Sequence, residues 1–292
     1  MRNLNSSYLF LAPALLTIIL LTIFPLIYSL YLSFINYELG RPHLEIRFVG
    51  LDNFISAIKD VRFLQALIRT FIFIACVVTT EFVLGLVLAL ALNREFRGRS
   101  IVVTLLTIPF MIAPVAVGFL WWTILDANYG PLNHLVVDIL RLSPKNVAWT
   151  ADPNVAFFSI ILVDIWQYTP FMTLILLAGL RSIPVEPYEA AIVDGATGFS
   201  LFRHITLPLL KPAILVAILI RVIDSFKIYD LVYLLTYGGP GTSTEVASFY
   251  IYLRGFKHFR ISYAAALSYI ILIISAILIT LLINIVRRMG RR

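Results

Sequence analysis

Four charges recur at every third position of one otherwise apolar stretch: Arg221, Asp224, Lys227 and Asp230. On a helix each reaches the next, and two positive with two negative groups partly neutralise one another. Phe226, Tyr229, Tyr233 and Tyr237 add an aromatic face to the same stretch. Charges held at membrane depth rarely face lipid, so the pattern reads either as a helix lining a hydrated pathway or as an ion-pair ladder fastening two helices. A second constellation is Asp164-Ile165-Trp166-Gln167-Tyr168-Thr169-Pro170. Asp164 and Tyr168 lie one helical turn apart, and Pro170 can open the backbone locally. Rings and polar side chains mixed at such a depth suit a sugar, whose apolar faces stack and whose hydroxyls need partners. The same aromatics also serve as interfacial anchors. Glu81, alone in a third apolar stretch, is either a pathway carboxylate or one hydrogen-bonded to a neighbouring helix.

Catalytic chemistry has no foothold. His43, His134, His204 and His258 are scattered and fail metal-ligand spacing, so no metal site is expected. The single Cys76 excludes an internal disulfide. No nucleophile elbow is present. Gly238-Gly239-Pro240-Gly241 lacks the Gly-Lys-Ser/Thr of a phosphate loop, so no bound nucleotide is expected in this chain.

A third stretch, 184–208, is built for docking. Pro187 suits a first helical turn, and Glu189 follows where a carboxylate favours the positive end of the helix dipole. Tyr188, Ala191 and Ile192 share one face. Gly195 and Gly198 permit the left-handed or tight backbone of a helix end. Ser200 can cap a second short helix, with Leu201, Phe202 and Ile205 on its apolar side. Two short helices joined at glycines bury no core of their own, so they need another surface.

At Glu189-Ala190-Ala191, then Gly195, then Ile205-Thr206-Leu207-Pro208, the chain resembles the EAA motif of binding-protein-dependent ABC importer permeases, with every fixed position met. The segments Phe48-Val49-Gly50-Leu51-Asp52-Asn53-Phe54, Glu81-Phe82-Val83-Leu84-Gly85-Leu86 and Leu235-Thr236-Tyr237-Gly238-Gly239-Pro240-Gly241 extend the resemblance over most of the chain, toward the sugar permeases of the maltose/trehalose type. The resemblance implies a non-catalytic subunit working with a second homologous permease, two ATPase subunits that bind ATP and Mg, and an extracytoplasmic sugar-binding protein. It implies alternating access, driven through a coupling helix at residues 184–208. The ATPase contacts then fall on Tyr188, Glu189, Ala190, Ala191, Asp194, Gly195, Phe199 and Phe202. The substrate pathway falls on Trp166, Tyr168, Asp224, Phe226, Lys227, Tyr229 and Asp230.

The elements that must hold these residues are membrane spans. A 60% hydrophobic content with 13% charged residues and a mean hydropathy of +0.93 excludes an ordinary soluble domain. A crossing needs about 20 apolar residues, and six such windows occur, near 8–33, 71–92, 102–125, 155–180, 212–236 and 264–286. The expected fold is therefore an all-α membrane protein, a single domain over residues 1–292 with six transmembrane helices and a cytoplasmic coupling loop between the fourth and fifth. Pro109 and Pro114 fall in the third span, where they read as kinks satisfied by packing. In the first outer loop Phe54, Ile58, Val61 and Leu64 or Gln65 approximate an amphipathic surface helix.

The net charge of +7 reflects arginines flanking spans rather than a nucleic-acid surface. Raw counting does not orient the chain, with 11 Lys/Arg on one side and 10 on the other. Density does: Arg94, Arg97 and Arg99 crowd a short loop, and Arg287, Arg288, Arg291 and Arg292 crowd the tail. That side is the cytoplasm, with both termini on it, and the resemblance implies that the membrane is a prokaryotic inner membrane. Three rival readings are an ABC permease for a non-sugar solute, an ion-coupled secondary transporter using the intramembrane carboxylates, and an intramembrane enzyme without paired catalytic motifs.

Overall fold

The structure, a computed structural model, describes residues 4–41 and 45–289. Arg2, His43, Arg291 and Arg292 lie outside them. In chain order the main helices are α1 (Leu11–Ser33), α2 (Asp52–Lys59), α3 (Val61–Leu92), α4 (Arg99–Met111), α5 (Pro114–Ile124), α6 (Ala156–Arg181), α7 (Glu186–Val193), α8 (Gly198–Ser225), α9 (Asp230–Leu235), α10 (Ala247–Tyr252) and α11 (Ile261–Met289). Among the described residues the only extended pairing is an isolated antiparallel bridge between Ile35 and Phe48. The fold is all-α.

Helices α1, α3, α6, α8 and α11 are each long and apolar enough to cross a membrane. A sixth crossing is counted only if α4 and α5 are taken together, as a pair bent by 95°. The cause is local. Ile112 and Ala113 both adopt extended backbone, with ψ of 133° and 138°. Pro114 denies the preceding residue a helical conformation and then opens the next helix itself. The sequence reading placed a kink here; the observed feature is a full break.

Two other boundaries differ from the hydropathy windows. Helix α3 starts at Val61, ten residues before the expected 71. Asp60 caps it, its Oδ1 accepting the amides of Arg62 at 3.0 Å and Phe63 at 3.3 Å. The same cap stops the apolar stripe expected across 54–65: α2 ends at Lys59, Phe54 packs on Phe34 with centroids 5.6 Å apart, and Ile58 is exposed. The expected fifth helix, 212–236, is two helices with a break at Phe226–Tyr229.

The chain forms two compact units. One comprises the residues up to Gln65 together with Tyr250–Ile274. Its polar centre is Asp60, which accepts hydrogen bonds from Tyr250 and, at 2.8 Å, from Tyr263, with Arg254 Nη2 at 3.7 Å. Partial burial pushes the Asp60 carboxyl up, but these donors, the Phe63 amide and the Arg254 charge outweigh it and hold the group below the usual carboxylate range.

The other unit comprises Ala66–Phe249 with the chain from Ser275 onward. Ala89 and Leu92 of α3, Met172, Leu176, Leu177 and Leu180 of α6, and Leu210 and Ala217 of α8 form its apolar core. Helices approach closely at several glycines, two of them on α6 seams. A methyl at Gly85 would meet Met172 Cγ at 2.8 Å, and one at Gly179 would meet Ala213 Cβ at 2.4 Å and Leu210 Cδ1 at 2.9 Å. Real side chains cannot stand that near, so the α6–α8 seam exists because position 179 has no side chain. Gly179→Val should cost about 1–3 kcal/mol by overpacking. A lowered thermal midpoint of the detergent-purified protein is the readout, and an unchanged midpoint would contradict the seam.

Candidate functional site

Glu81 sits in α3, Asp164 in α6 and Arg221 near the end of α8, and the fold brings all three together. Arg221 Nε donates to Glu81 Oε2 at 2.6 Å and Nη2 to Glu81 Oε1 at 2.8 Å, a two-pronged fork. Nη2 also donates to Asp164 Oδ2. The Tyr168 ring, one turn after Asp164, lies 4.0 Å from the guanidinium carbon. Glu81, Asp164 and Arg221 are all buried. Only a guanidinium offers the planar donors to hold two carboxylates from two different helices at once. The three longest helices of this unit are thereby pinned at one point. The ladder reading of the fifth stretch was partly right: Arg221 fastens helices, but across three elements rather than along its own.

Beyond Arg221 the backbone leaves the helix. Ser225 Oγ bonds the Arg221 carbonyl at 2.7 Å, and the chain turns through Phe226–Tyr229 before Asp230 opens α9. Ser248 Oγ donates to the Ile228 carbonyl. Non-helical backbone at membrane depth is tolerated where it is buried in protein or lines a hydrated cavity. Here the break borders a cleft of about 240 Å³, walled by Pro114, Tyr168, Asp224, Lys227, Tyr229 and Asp230 among others. Gln167 reaches it too, its Nε2 donating to the Ile112 carbonyl at 3.2 Å while its buried Oε1 has no partner among the described residues. Charge passes from interior to opening: the Arg221 side chain is 2% exposed, Asp224 42% and Lys227 71%. Asp224 bridges them, 3.7 Å from Arg221 Nη1 and 3.8 Å from Lys227 Nζ. The four charges therefore do not share one helix, because the break separates Lys227 from those on either side.

Of the expected pathway residues, Tyr168, Asp224, Lys227, Tyr229 and Asp230 line this cleft. Trp166 does not; it packs edge-on against Trp121 with centroids 5.5 Å apart and borders a separate apolar cavity. Phe226 is buried against Phe71, 5.8 Å away. Gln167, Ser225 and Pro114 were not singled out as pathway residues.

At 184–208 the structure places α7, a turn, and the start of α8. Gly195 has φ +82°, with its amide on the Ile192 carbonyl at 3.0 Å and the Ala196 amide on the Ala191 carbonyl at 2.9 Å. This is a Schellman end, which requires the left-handed conformation that glycine adopts without strain. The second helix is capped at Thr197 without a side-chain bond, so Ser200 is not its cap. The Tyr188 hydroxyl donates to Thr206 Oγ1 at 3.0 Å and ties α7 back to α8. Glu189, Ala190, Asp194 and Phe199 are exposed, while Ala191 and Phe202 are half-buried. Ile192, Val193 and Phe199 are 58%, 87% and 72% exposed, an apolar ridge in which Phe199 leans on Phe202 with centroids 6.2 Å apart.

Residues 81–292 match the family model of the binding-protein-dependent transport system inner membrane component. The chain belongs to this family. The permease is 36% identical over 290 residues to a trehalose/maltose transport system permease protein of Thermococcus litoralis, covering 98% of this chain and 96% of that one. It is 34% identical over 271 residues to a trehalose transport system permease protein of Mycobacterium tuberculosis, covering 93% and 85%. Among solved structures it resembles a chain of a bacterial ABC transporter that imports the acidic polysaccharide alginate. The TM-score is 0.83 and the identity 25%, over 97% of this chain and 95% of that one. The same transporter in complex with an alginate pentasaccharide-bound periplasmic protein gives a TM-score of 0.82 at 25% identity, over 99% and 97%. The permease is thus a multi-pass inner-membrane component of a transport system.

Proposed function

We propose that this permease carries a di- or oligosaccharide across the inner membrane of a prokaryote as one of two homologous membrane subunits of an ABC importer. The observation that supports it most is the cleft at the α8 break, where Tyr168 and Tyr229 offer rings, Asp224, Lys227 and Asp230 offer charged hydrogen-bonding groups, and Gln167 holds an unused acceptor. Rings against apolar sugar faces with polar groups around the hydroxyls are what carbohydrate recognition needs. The trehalose, maltose and alginate transporters among its relatives point to the same substrate class. An extracytoplasmic binding protein delivers the sugar, and the membrane helices rock between outward and inward openings around the cleft.

The drive comes from two ATPase subunits, which hold the ATP and Mg. Their contacts are assigned to the exposed ridge of 184–208: Glu189, Ala190, Asp194, Gly195 and Phe199, flanked by Tyr188, Ala191 and Phe202. Tyr188 acts from behind, holding α7 on Thr206. On this reading the ridge and both termini lie in the cytoplasm. An ion-coupled carrier would draw on Glu81, Asp164, Asp224 or Asp230; Glu81 and Asp164 are committed to Arg221, and Asp224 is shared between Arg221 and Lys227.

Copurification from native membranes, with the attached proteins and bound solute identified, tests the reading; ATPase subunits and a sugar are expected. Asp224→Ala should lower uptake by about tenfold or more, the worth of one charged hydrogen bond, while leaving the complex assembled. Lost assembly with normal uptake per complex would move Asp224 from the substrate path to the helix clasp.

A further inference from the structure

A second cleft, of about 460 Å³, opens between α4 and α6 at the end of the membrane that carries 184–208. Its walls are Arg99, Ser100, Val103 and Thr104 from the first turns of α4, and Leu174, Leu177, Ala178 and Arg181 from the last turns of α6. The two helices run in opposite directions, so both arginines stand at the mouth. Val103 and Leu177 lie one turn further in, about 6 Å deeper at 1.5 Å per residue. Arg181 has no carboxylate or other polar partner among the described residues. Arg99 uses only Nε, on the Leu92 carbonyl at 2.5 Å, which leaves both terminal nitrogens of its guanidinium open. Gly98, which precedes α4, gives that helix no side-chain cap, so the positive end of its dipole adds to the two charges.

Two guanidiniums with open terminal nitrogens over a slot lined by Val103, Leu174 and Leu177 match an amphiphile with an anionic head and a hydrocarbon tail. We propose that this cleft binds an anionic phospholipid of the cytoplasmic leaflet, its phosphate between Arg99 and Arg181 and one acyl chain along Val103, Leu174 and Leu177. Basic clefts between membrane helices on the cytoplasmic side have this chemistry. Assignment of the leaflet rests on the proposed cytoplasmic position of 184–208. Arg181 lies five residues before α7, so the lipid would sit at the root of the arm that meets the ATPase.

The test uses the whole transporter, reconstituted in nanodiscs of phosphatidylcholine with a minority of phosphatidylglycerol. The phospholipids retained after extraction are counted by native mass spectrometry. Wild type should retain phosphatidylglycerol in preference. Each arginine near a charged headgroup is worth about fivefold, so Arg181→Gln should lower that retention about fivefold and Arg99→Gln with Arg181→Gln about twenty-five-fold. Arg181→Lys should keep much of it. Arg94→Gln with Arg97→Gln removes the same charge from the neighbouring loop and should leave it unchanged. Equal retention by wild type and Arg181→Gln overturns the proposal, as does an equal loss in the loop variant. Displacement by inorganic phosphate with no preference between the lipids would make this a phosphate site and overturn the lipid. A cleft covered by another subunit would show as no retained phosphatidylglycerol in wild type. Transport by the wild-type complex is scored separately, so a failed lipid assignment leaves the importer reading intact.

Discussion

Arg221→Met should destabilise the permease by about 3–5 kcal/mol, the cost of leaving a buried charge without its partner. Two carboxylates, Glu81 and Asp164, would lose the cation that both now use, in a place neither water nor lipid can replace it. Loss of monodisperse protein in detergent and a lower unfolding midpoint are the expected signs. The informative partner is the triple variant Glu81→Gln, Asp164→Asn, Arg221→Met, which removes all three charges. It should recover much of the stability, because the damage comes from uncompensated charge and the apolar packing of α3, α6 and α8 remains. Arg221→Lys should rescue poorly, since an ammonium cannot fork across Glu81 and reach Asp164 as well. If Arg221→Met unfolds at the wild-type midpoint, the cluster does not hold the helices.

Gly195→Trp should abolish ATP-driven uptake while the protein still inserts. Among the described residues, chain neighbours aside, nothing lies within 4 Å of where a Cβ would stand at Gly195, so a side chain there starts into open space. The left-handed backbone, at φ +82°, adds roughly 1–2 kcal/mol of local strain for any residue with a Cβ. That is enough to loosen the end of α7 but too little to unfold helices buried elsewhere. The larger effect is outside the chain, where the indole would stand in the surface proposed above to meet the ATPase. Copurification of the ATPase subunit and uptake should fall together. A stably inserted Gly195→Trp permease with normal uptake would remove 184–208 from the drive train. The contrast with Gly179 is instructive: there a side chain has no room, whereas at Gly195 the backbone sets the requirement.

Much of this molecule can be read from its residues. Hydropathy located the long apolar helices, and the spacing from Glu189 to Pro208 located the short helices between α6 and the body of α8, because both signals are local. The break after Ser225 left no trace of that kind. No glycine or proline lies between Arg221 and Asp230, and the turn is held by distant groups such as Ser248. Arg221 and its partners were each visible as costly charges, but their pairing spans 140 residues in one case and 57 in the other. Periodicity carries no information over such distances. The start of α3 was missed for a different reason: Arg62 and Arg69 ended the apolar window, although Asp60 caps a helix that runs through both. At the third crossing Pro114 was seen, but its effect on the two residues before it was underestimated.

The fork on Arg221 also sets an order on biogenesis. Glu81 enters the bilayer well before its cation exists, and at a synthesis rate of ~5–20 residues per second it waits on the order of ten seconds or more. Until then the nascent segment carries a bare acid that must stay protonated, sheltered by the insertion machinery, or close to the exit site. A chain that ends before Arg221 is made leaves that acid without the cation that secures it in the finished fold.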